Sequence, residues 1–405
     1  MRFVLVELSP SGGIFQFSFQ LGSHLASNGH NVELLTGPEP ELASDTIRFR
    51  VRSWLPTWHP GSATLDPSWV RRPRRALRAI RHVVALGVVL VRIAYLKPDV
   101  VLWHPLRFPI DSWGVVLANR LSRRSAMCII MHEHRPLAEQ RRSGSFYRAS
   151  PLQRRALQAA VNRMNVIFVL SDRVRQQVVD TWRSPGRVVV IPHGNEDAFL
   201  TADHLLPVSS TGQKILFFGT WTRHKGIPSL IEAFRIVRQR APAAQLTVAG
   251  AVGGDVDYNA IERLAVSVGG IHLAPGYVPL SDVRTLFEQA RVVAIPYLRA
   301  NQSGVAHLAQ TFGRPVVATA VGDIPESVPH GEAGLIVPPD RPDAMAEALL
   351  ELLHDPALAG RLGAGGHDRL RREGSWSGIA EKIAEAAATP QADACAAADM
   401  GTQHR

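Results

Sequence analysis

Cysteine is nearly absent from this 405-residue chain. The two present, Cys128 and Cys395, exclude a disulfide-stapled scaffold, and neither has the neighbouring ligands of a zinc site. Cys128 lies in an apolar run and reads as a small core residue, so a reducing compartment, the cytoplasm, is expected. Lysine is scarce as well, with four residues against 41 arginines, a bias suited to bidentate contact with phosphate. Long hydrophobic runs are missing. The longest, Val83–Leu96, has 14 residues and contains Arg92, short of the roughly 20 that span a bilayer. Met1-Arg2 is followed by only six mostly apolar residues before Ser9-Pro10-Ser11-Gly12-Gly13, so no secretory leader is expected. No nucleic-acid-binding module is recognisable, and nucleic acid is not an expected partner.

What is present is enough for large packed cores: 46% of residues are hydrophobic and 20% charged, and the length suits two or three domains. The formal net charge of +10 is unevenly placed. Residues 1–200 carry 27 basic and 14 acidic groups, whereas residues 201–405 carry 18 and 21. Much of the excess lies in Trp69–Arg81, where Arg71, Arg72, Arg74, Arg75, Arg78 and Arg81 accompany Trp69 and Leu77. This is either the solvated start of a long crossover helix, with Val83–Leu96 as its core part, or a face suited to an anionic membrane.

Apolar, β-branched runs separated by helix-length segments recur through the chain. They are Phe3–Leu8, Val32–Thr36, Val100–His104, Met127–Met131, Val166–Leu170 and Val188–Ile191, then Ile215–Phe218, Leu246–Ala249, Ile271–Leu273, Val292–Pro296, Pro315–Thr319 and Leu335–Val337. Buried parallel strands with helical crossovers give this pattern. Two such sets predict an α/β protein of two doubly wound, Rossmann-like domains, at 1–200 and 214–372, joined by a polar linker at 201–213. A helix over 373–389 and a disordered tail over 390–405 complete the expected layout.

Three segments carry chemistry. In SPSGGIFQF a strand ends, the chain turns through Gly12-Gly13, and a helix begins near Ile14. Glycines there let backbone amides approach an anionic or sugar ligand. In KILFFGTWTRHKGIPSLIEAF a strand runs through Gly219 into a helix, with Arg223 and Lys225 beside the turn, a setting for a diphosphate. In IPYLRANQSGVAHLAQTFGRPVVATAVGDIPE a polar loop places Ser303, Gly304 and Val305 at a second helix start, followed by a Gly322-Asp323 turn. Each segment also has a plain reading as strand–turn–helix punctuation.

In this order, with GHNVELLT after the double glycine, VVVIPHGN at 188–195 and GRPVVATAVGDIPE at 313–326, the segments resemble the retaining GT-B glycosyltransferases of family 4 over roughly residues 1–385. The resemblance implies a hexosyltransferase-type enzyme whose first domain binds a glycan, lipid-linked or small-molecule acceptor. The second would bind a nucleotide-diphosphate sugar as co-substrate, with transfer in the cleft between them and no further cofactor or metal. Lys225 matches the diphosphate lysine, Gly12 and Gly13 the turn beside the donor, and His132 the histidine that contacts the transferred sugar. Gly276-Tyr277-Val278 matches the stretch that reads the base. Gly219, Tyr277, Val278, Ser303, Gly304, Val305 and Glu326 are thus the expected donor-binding residues of the second domain, with Arg223 beside Lys225.

The family's diphosphate arginine falls here on Thr220 or Thr222, and its paired glutamates fall on Ala300 and Leu308, so the chain resembles a subset lacking that pair. Three readings of function follow. The first is a retaining transferase in polysaccharide or glycolipid biosynthesis, cytoplasmic and peripheral to the inner face of the cell membrane. The others are a nucleotide-sugar 2-epimerase and a catalytically silent paralogue serving as a sugar-binding scaffold. Asp255-Val256-Asp257 imitates a metal-binding DxD, and His132-Glu133-His134 a zinc pair, but neither has a further ligand cluster in the sequence.

Overall fold

A computed structural model describes residues 1–57, 68–104, 106, 108–132, 150–183, 186–195 and 206–389. The expected tail at 390–405, the start of the linker and the His134 position lie outside the described residues. The described residues divide into two compact units, one within 1–132, 150–192 and 376–389, the other within 193–375.

The first unit holds seven parallel strands: β1 (Arg2–Val6), β2 (Asn31–Leu35), β3 (Phe49–Arg52), β4 (Val100–Trp103), β5 (Ala126–Met131), β6 (Val166–Val169) and β7 (Arg187–Val190). Their order is β3-β2-β1-β4-β5-β6-β7, with Phe3 in register with Val32 on one side and Val100 on the other. Side chains alternate across each strand, so both faces are apolar. Val4 and Val6 belong to one core with Ala85, Leu86, Val89 and Ile93 of helix α2 (Ser68–Leu96). Phe3 and Leu5 belong to the other, with Phe15, Phe17 and Leu21 of α1 (Gly13–Ser27). Helices α3 (Pro109–Leu121), α4 (Pro151–Val161) and α5 (Asp172–Thr181) complete the crossovers.

The second unit is a six-stranded parallel sheet: β8 (Lys214–Phe218), β9 (Gln245–Gly250), β10 (Ile271–Pro275), β11 (Val292–Ile295), β12 (Val316–Thr319) and β13 (Gly334–Val337). The order is β10-β9-β8-β11-β12-β13, so the direction of winding reverses between β8 and β11. Helices α6 (Ile227–Arg240), α7 (Tyr258–Val268), α8 (Leu280–Gln289), α9 (Gly304–Thr311), α10 (Ile324–Ser327), α11 (Pro342–His354) and α12 (Pro356–Glu373) connect and cover these strands.

The last helix, α13 (Trp376–Ala388), belongs to the first unit. Its Trp376, Ile379 and Ile383 are buried in the core that contains α1, and the Trp376 and Phe17 rings meet edge-on at 4.8 Å. Helix α2 is solvated over the described part of its start, 76–81, but differs from the expected core end. Its inner stripe is buried, but Val83, Val84, Val91 and Tyr95, all within the run read as core, are half to three-quarters exposed.

Candidate functional site

At the reversal point of the second sheet, β8 ends at Phe218 and the chain passes through Gly219, whose φ of 122° suits glycine. Trp221, fully buried, anchors the turn by donating its amide to the Ala251 carbonyl at 2.8 Å. A 3-10 turn, Arg223–Lys225, leads to Gly226 in the left-handed region (φ 67°) and then to α6. A Cβ on Gly226 would collide with the Pro296 carbonyl oxygen, so the turn and the loop after β11 are held in direct backbone contact. That contact is strengthened by the Leu298 amide, which donates to the His224 carbonyl at 2.8 Å.

These contacts place Lys225 against Tyr297. The ammonium sits 3.5 Å from the ring centroid, and the ring is 1% exposed. A cation over an aromatic face is attracted by the ring quadrupole while keeping its full charge. Among the described residues Lys225 forms no ion pair, so that charge is not neutralised by a neighbouring carboxylate. His224 reports the local field: burial pushes its pKa down, and the charges of Lys225 and Arg299 push the same way against Asp255. Arg299 therefore adds a third cation, just beyond the β11 end. Arg223 is exposed and turned to the β9–α7 loop, its Nε donating to the Asp255 carbonyl at 2.8 Å and its amide to Asp255 Oδ2 at 3.2 Å.

Ser303 is buried and caps α9, its hydroxyl accepting the Ala306 amide at 3.3 Å. The Gly304 and Val305 amides belong to the same first turn, where intrahelical acceptors are lacking and anions are favoured. Val305 lies beside Gly219, its Cγ2 3.7 Å from where a Cβ on that glycine would stand. Gly219, Lys225 and the Ser303–Val305 helix start are thus gathered around adjacent strand ends. Gly276 follows β10 with its amide on the Gly250 carbonyl at 3.0 Å, and Tyr277 and Val278 come next, both half-buried. Glu326 is exposed on α10, whereas Asp323 beside it is buried and donates its amide to the Asn301 carbonyl at 2.7 Å. Below the loop, the His193 and His307 rings stack at 4.1 Å, and burial holds both pKa values down.

The acidic triplet of the β9–α7 loop is engaged otherwise: Asp257 caps α7 through the Ala260 amide at 3.2 Å, and Asp255 holds Arg223. Among the described residues no group of three His, Cys, Asp or Glu side chains could hold a metal ion.

In the first unit Gly12 precedes α1 with φ 89°, and its amide donates to Glu41 Oε2 at 3.0 Å. The same carboxylate oxygen accepts Gln16 Nε2 at 2.9 Å. Gly13 opens the helix, and a Cβ on either glycine would meet nothing within 4 Å, so the turn borders open space. His132 follows β5 with its ring edge-on to Phe17 at 5.6 Å, and His104 follows β4 at 3.0 Å from Ser18 Oγ. Glu41, His104, Tyr297 and Arg299 were not anticipated from sequence. Tyr297 and Arg299 carried a usable signal, since they directly follow an expected strand where ligands of open α/β sheets bind.

Comparison with known proteins bears on the family and the fold. Residues 11–198 match the family described as Glycosyltransferase Family 4, and residues 212–355 the family described as Glycosyl transferases group 1. The chain is 29% identical over 277 residues to alpha-maltose-1-phosphate synthase of Mycolicibacterium smegmatis, covering 62% of this chain and 69% of that protein. It is 31% identical over 167 residues to D-inositol 3-phosphate glycosyltransferase of Pseudarthrobacter chlorophenolicus, covering 40% and only 39%. The solved sucrose-phosphate synthase of Thermosynechococcus elongatus shares the fold with a TM-score of 0.70 at 21% identity, over 95% of this chain and 97% of that one.

Proposed function

Because the chain joins a glycosyltransferase family 4 domain to a glycosyl transferases group 1 domain, we propose that it transfers a sugar from a nucleotide-diphosphate donor to a hydroxyl of an acceptor. The reaction retains the anomeric configuration and needs no metal. The acceptor is a glycan, a lipid-linked sugar or a small molecule, met in the cytoplasm at the inner face of the cell membrane. The observation that carries the reading is the un-neutralised Lys225 ammonium, held on Tyr297 at the strand ends that also carry the start of α9.

In this reading Lys225 and the Gly304 and Val305 amides receive the donor diphosphate, and Arg299 and Arg223 add positive potential around it. Tyr277 and Val278 border the base, and Glu326 contacts the donor from α10. The family resemblance assigns His132, with Gly12 and Gly13 of the first unit, to the transferred sugar. The acceptor oxygen forms its bond to the anomeric carbon on the face that the diphosphate leaves. As the carbon–oxygen bond to phosphate breaks, the acceptor proton passes to the departing phosphate oxygen. No side-chain nucleophile is required, so Ala300 and Leu308 at the glutamate positions are compatible with turnover. The protein contributes orientation and stabilisation of the developing phosphate charge.

The test is product analysis after incubating the full chain with nucleotide sugars and a panel of acceptors, with and without chelator. A new α-linked product from an α-linked donor, unaffected by chelator, is expected. An inverted product overturns retention, loss of product on chelation overturns metal independence, and an epimerised donor in the absence of acceptor favours the 2-epimerase.

A further inference from the structure

We propose that the outward face of α2 and α3 in the first unit is a docking surface for an anionic lipid bilayer, with both helices lying in the plane of the interface. This rests on the transferase reading only in that a membrane-held acceptor would be met there. The inner side of α2 is committed to the fold. Ala85, Leu86, Val89 and Ile93 are buried, His82 pairs with Asp111 of α3, and Gly114 of α3 lets Leu86 pack close. Arg92 reaches Glu33 of β2 with Nε at 2.9 Å and Nη2 at 2.7 Å. The stretch Ala76–Leu96 is long and apolar enough to cross a membrane, but these contacts would all have to break for it to do so.

The outer side is equally apolar. Leu77, Ile80, Val84, Val91 and Tyr95 recur at helical intervals and are between 50% and 77% exposed. On α3, Ile110, Trp113, Leu117 and Leu121 form a parallel stripe, each 39–46% exposed. Exposed apolar stripes on two neighbouring helices, with Tyr and Trp among them, are unfavourable in water and mark an interaction surface.

Charge selects the occupant. From 68 to 132 the only acidic residues are Asp99 and Asp111, and both are engaged. Asp99 accepts the Arg2 amide at 2.6 Å, and Asp111 accepts the Phe108 amide at 2.8 Å beside its contact with His82. Arg81, Arg120, Arg123 and Arg124 are exposed around the stripes. An apolar face rimmed by arginine, with the two carboxylates of residues 68–132 both hydrogen-bonded, complements anionic headgroups over acyl chains. A second copy of the same face would bring like charges together. Of the expected membrane contact through Arg71–Arg81, the side chains of Arg71, Arg72, Arg74 and Arg75 lie outside the described residues; the apolar ridge of both helices makes the contact, and the exposed Arg81 orients it.

The experiment is flotation of the full chain with phosphatidylcholine vesicles containing about one-third phosphatidylglycerol, against pure phosphatidylcholine, at about 50 mM and about 0.5 M salt. Binding at least about tenfold tighter to the anionic vesicles, weakened by salt, is expected. Val91→Gln with Tyr95→Gln, and separately Trp113→Gln, should each weaken it about tenfold. Both variants should keep the wild-type circular dichroism and donor-induced thermal shift. Arg81→Glu should weaken anionic binding while leaving the apolar face intact. Absence of binding to anionic vesicles overturns the proposal, as does binding indifferent to all three variants. A dimer dissociated by the same substitutions, without vesicle binding, assigns the face to a second copy instead. Vesicle binding without any transferase product leaves this surface standing and refutes the transferase reading alone.

Discussion

Replacing Tyr297 separates the ring face from everything else the residue does. Lys225 Nζ lies 3.5 Å from the ring centroid, and the Tyr297 hydroxyl is buried with no hydrogen-bond partner. A cation–π contact is worth about 0.5–1 kcal/mol when exposed and about 2 kcal/mol when desolvated. With Lys225 half-buried on a buried ring, about 1–2 kcal/mol is reasonable, or roughly a five- to thirtyfold loss of donor kcat/KM for Tyr297→Leu. Tyr297→Phe keeps the face and should stay within about threefold. It should also hold or raise the melting temperature, since an unsatisfied buried hydroxyl costs about 1–3 kcal/mol. The assay is steady-state kinetics varying the donor, repeated in a Lys225→Met background. If the ring acts through Lys225, the Tyr297→Leu effect on kcat/KM should largely disappear there. Equal damage by Phe and Leu, or an undiminished Leu effect without the lysine, would refute the reasoning.

Other outcomes follow from the same geometry. Gly226→Ala should impair donor binding more than global stability, because φ 67° is strained for alanine by about 1–2 kcal/mol and its Cβ meets the Pro296 carbonyl, forcing the Lys225 turn to shift; saturation by donor checks it, and unchanged affinity contradicts it. Trp376→Ala should destabilise the first unit by about 3–5 kcal/mol through loss of buried ring contacts with Phe17 and α1, read by denaturant unfolding resolved for the two units. His307 is held neutral by burial, its pKa well below 6.5, so its contribution is complete above the unfolded value and falls away as pH drops below it. That loss is up to about 1.4 kcal/mol per pH unit until the folded pKa is reached. Denaturation midpoints between pH 7.5 and 5 (both about) should therefore fall less steeply in His307→Leu than in wild type; parallel slopes would contradict it.

Each apolar run read as a strand coincides with one, because the inner strands are buried on both faces and must be apolar throughout, and the outer β7 and β10 keep the same apolar composition. The exception, β3, reads FRVR: Arg52 reaches Glu33 across the edge of the sheet, and two arginines in four residues hide the strand from any hydrophobic pattern. The outer stripe of α2 was illegible for the opposite reason. In Val83–Leu96 nearly every position is apolar, so periodicity cannot separate buried Val89 from exposed Val91. The return of α13 to the first unit depends on contacts between residues far apart in sequence, Trp376 with Phe17 and Ser377 with Asn28. Gly219, Lys225 and Ser303 were visible as turn and cap chemistry. Tyr297 follows an expected strand, but its hold on the lysine is visible only once β8 and β11 are adjacent, and Glu41 only once its loop closes on Gly12.

The central claim is that Lys225 meets the diphosphate of a nucleotide sugar. Calorimetric titration of the full chain with a panel of nucleotide-diphosphate sugars, on wild type and Lys225→Met, tests it most directly. A charge-assisted contact contributes about 1.5–3 kcal/mol, so at least one donor should bind wild type and bind Lys225→Met about 10- to 100-fold more weakly. Failure of every nucleotide sugar to bind, or equal affinity for the two proteins, would contradict the account.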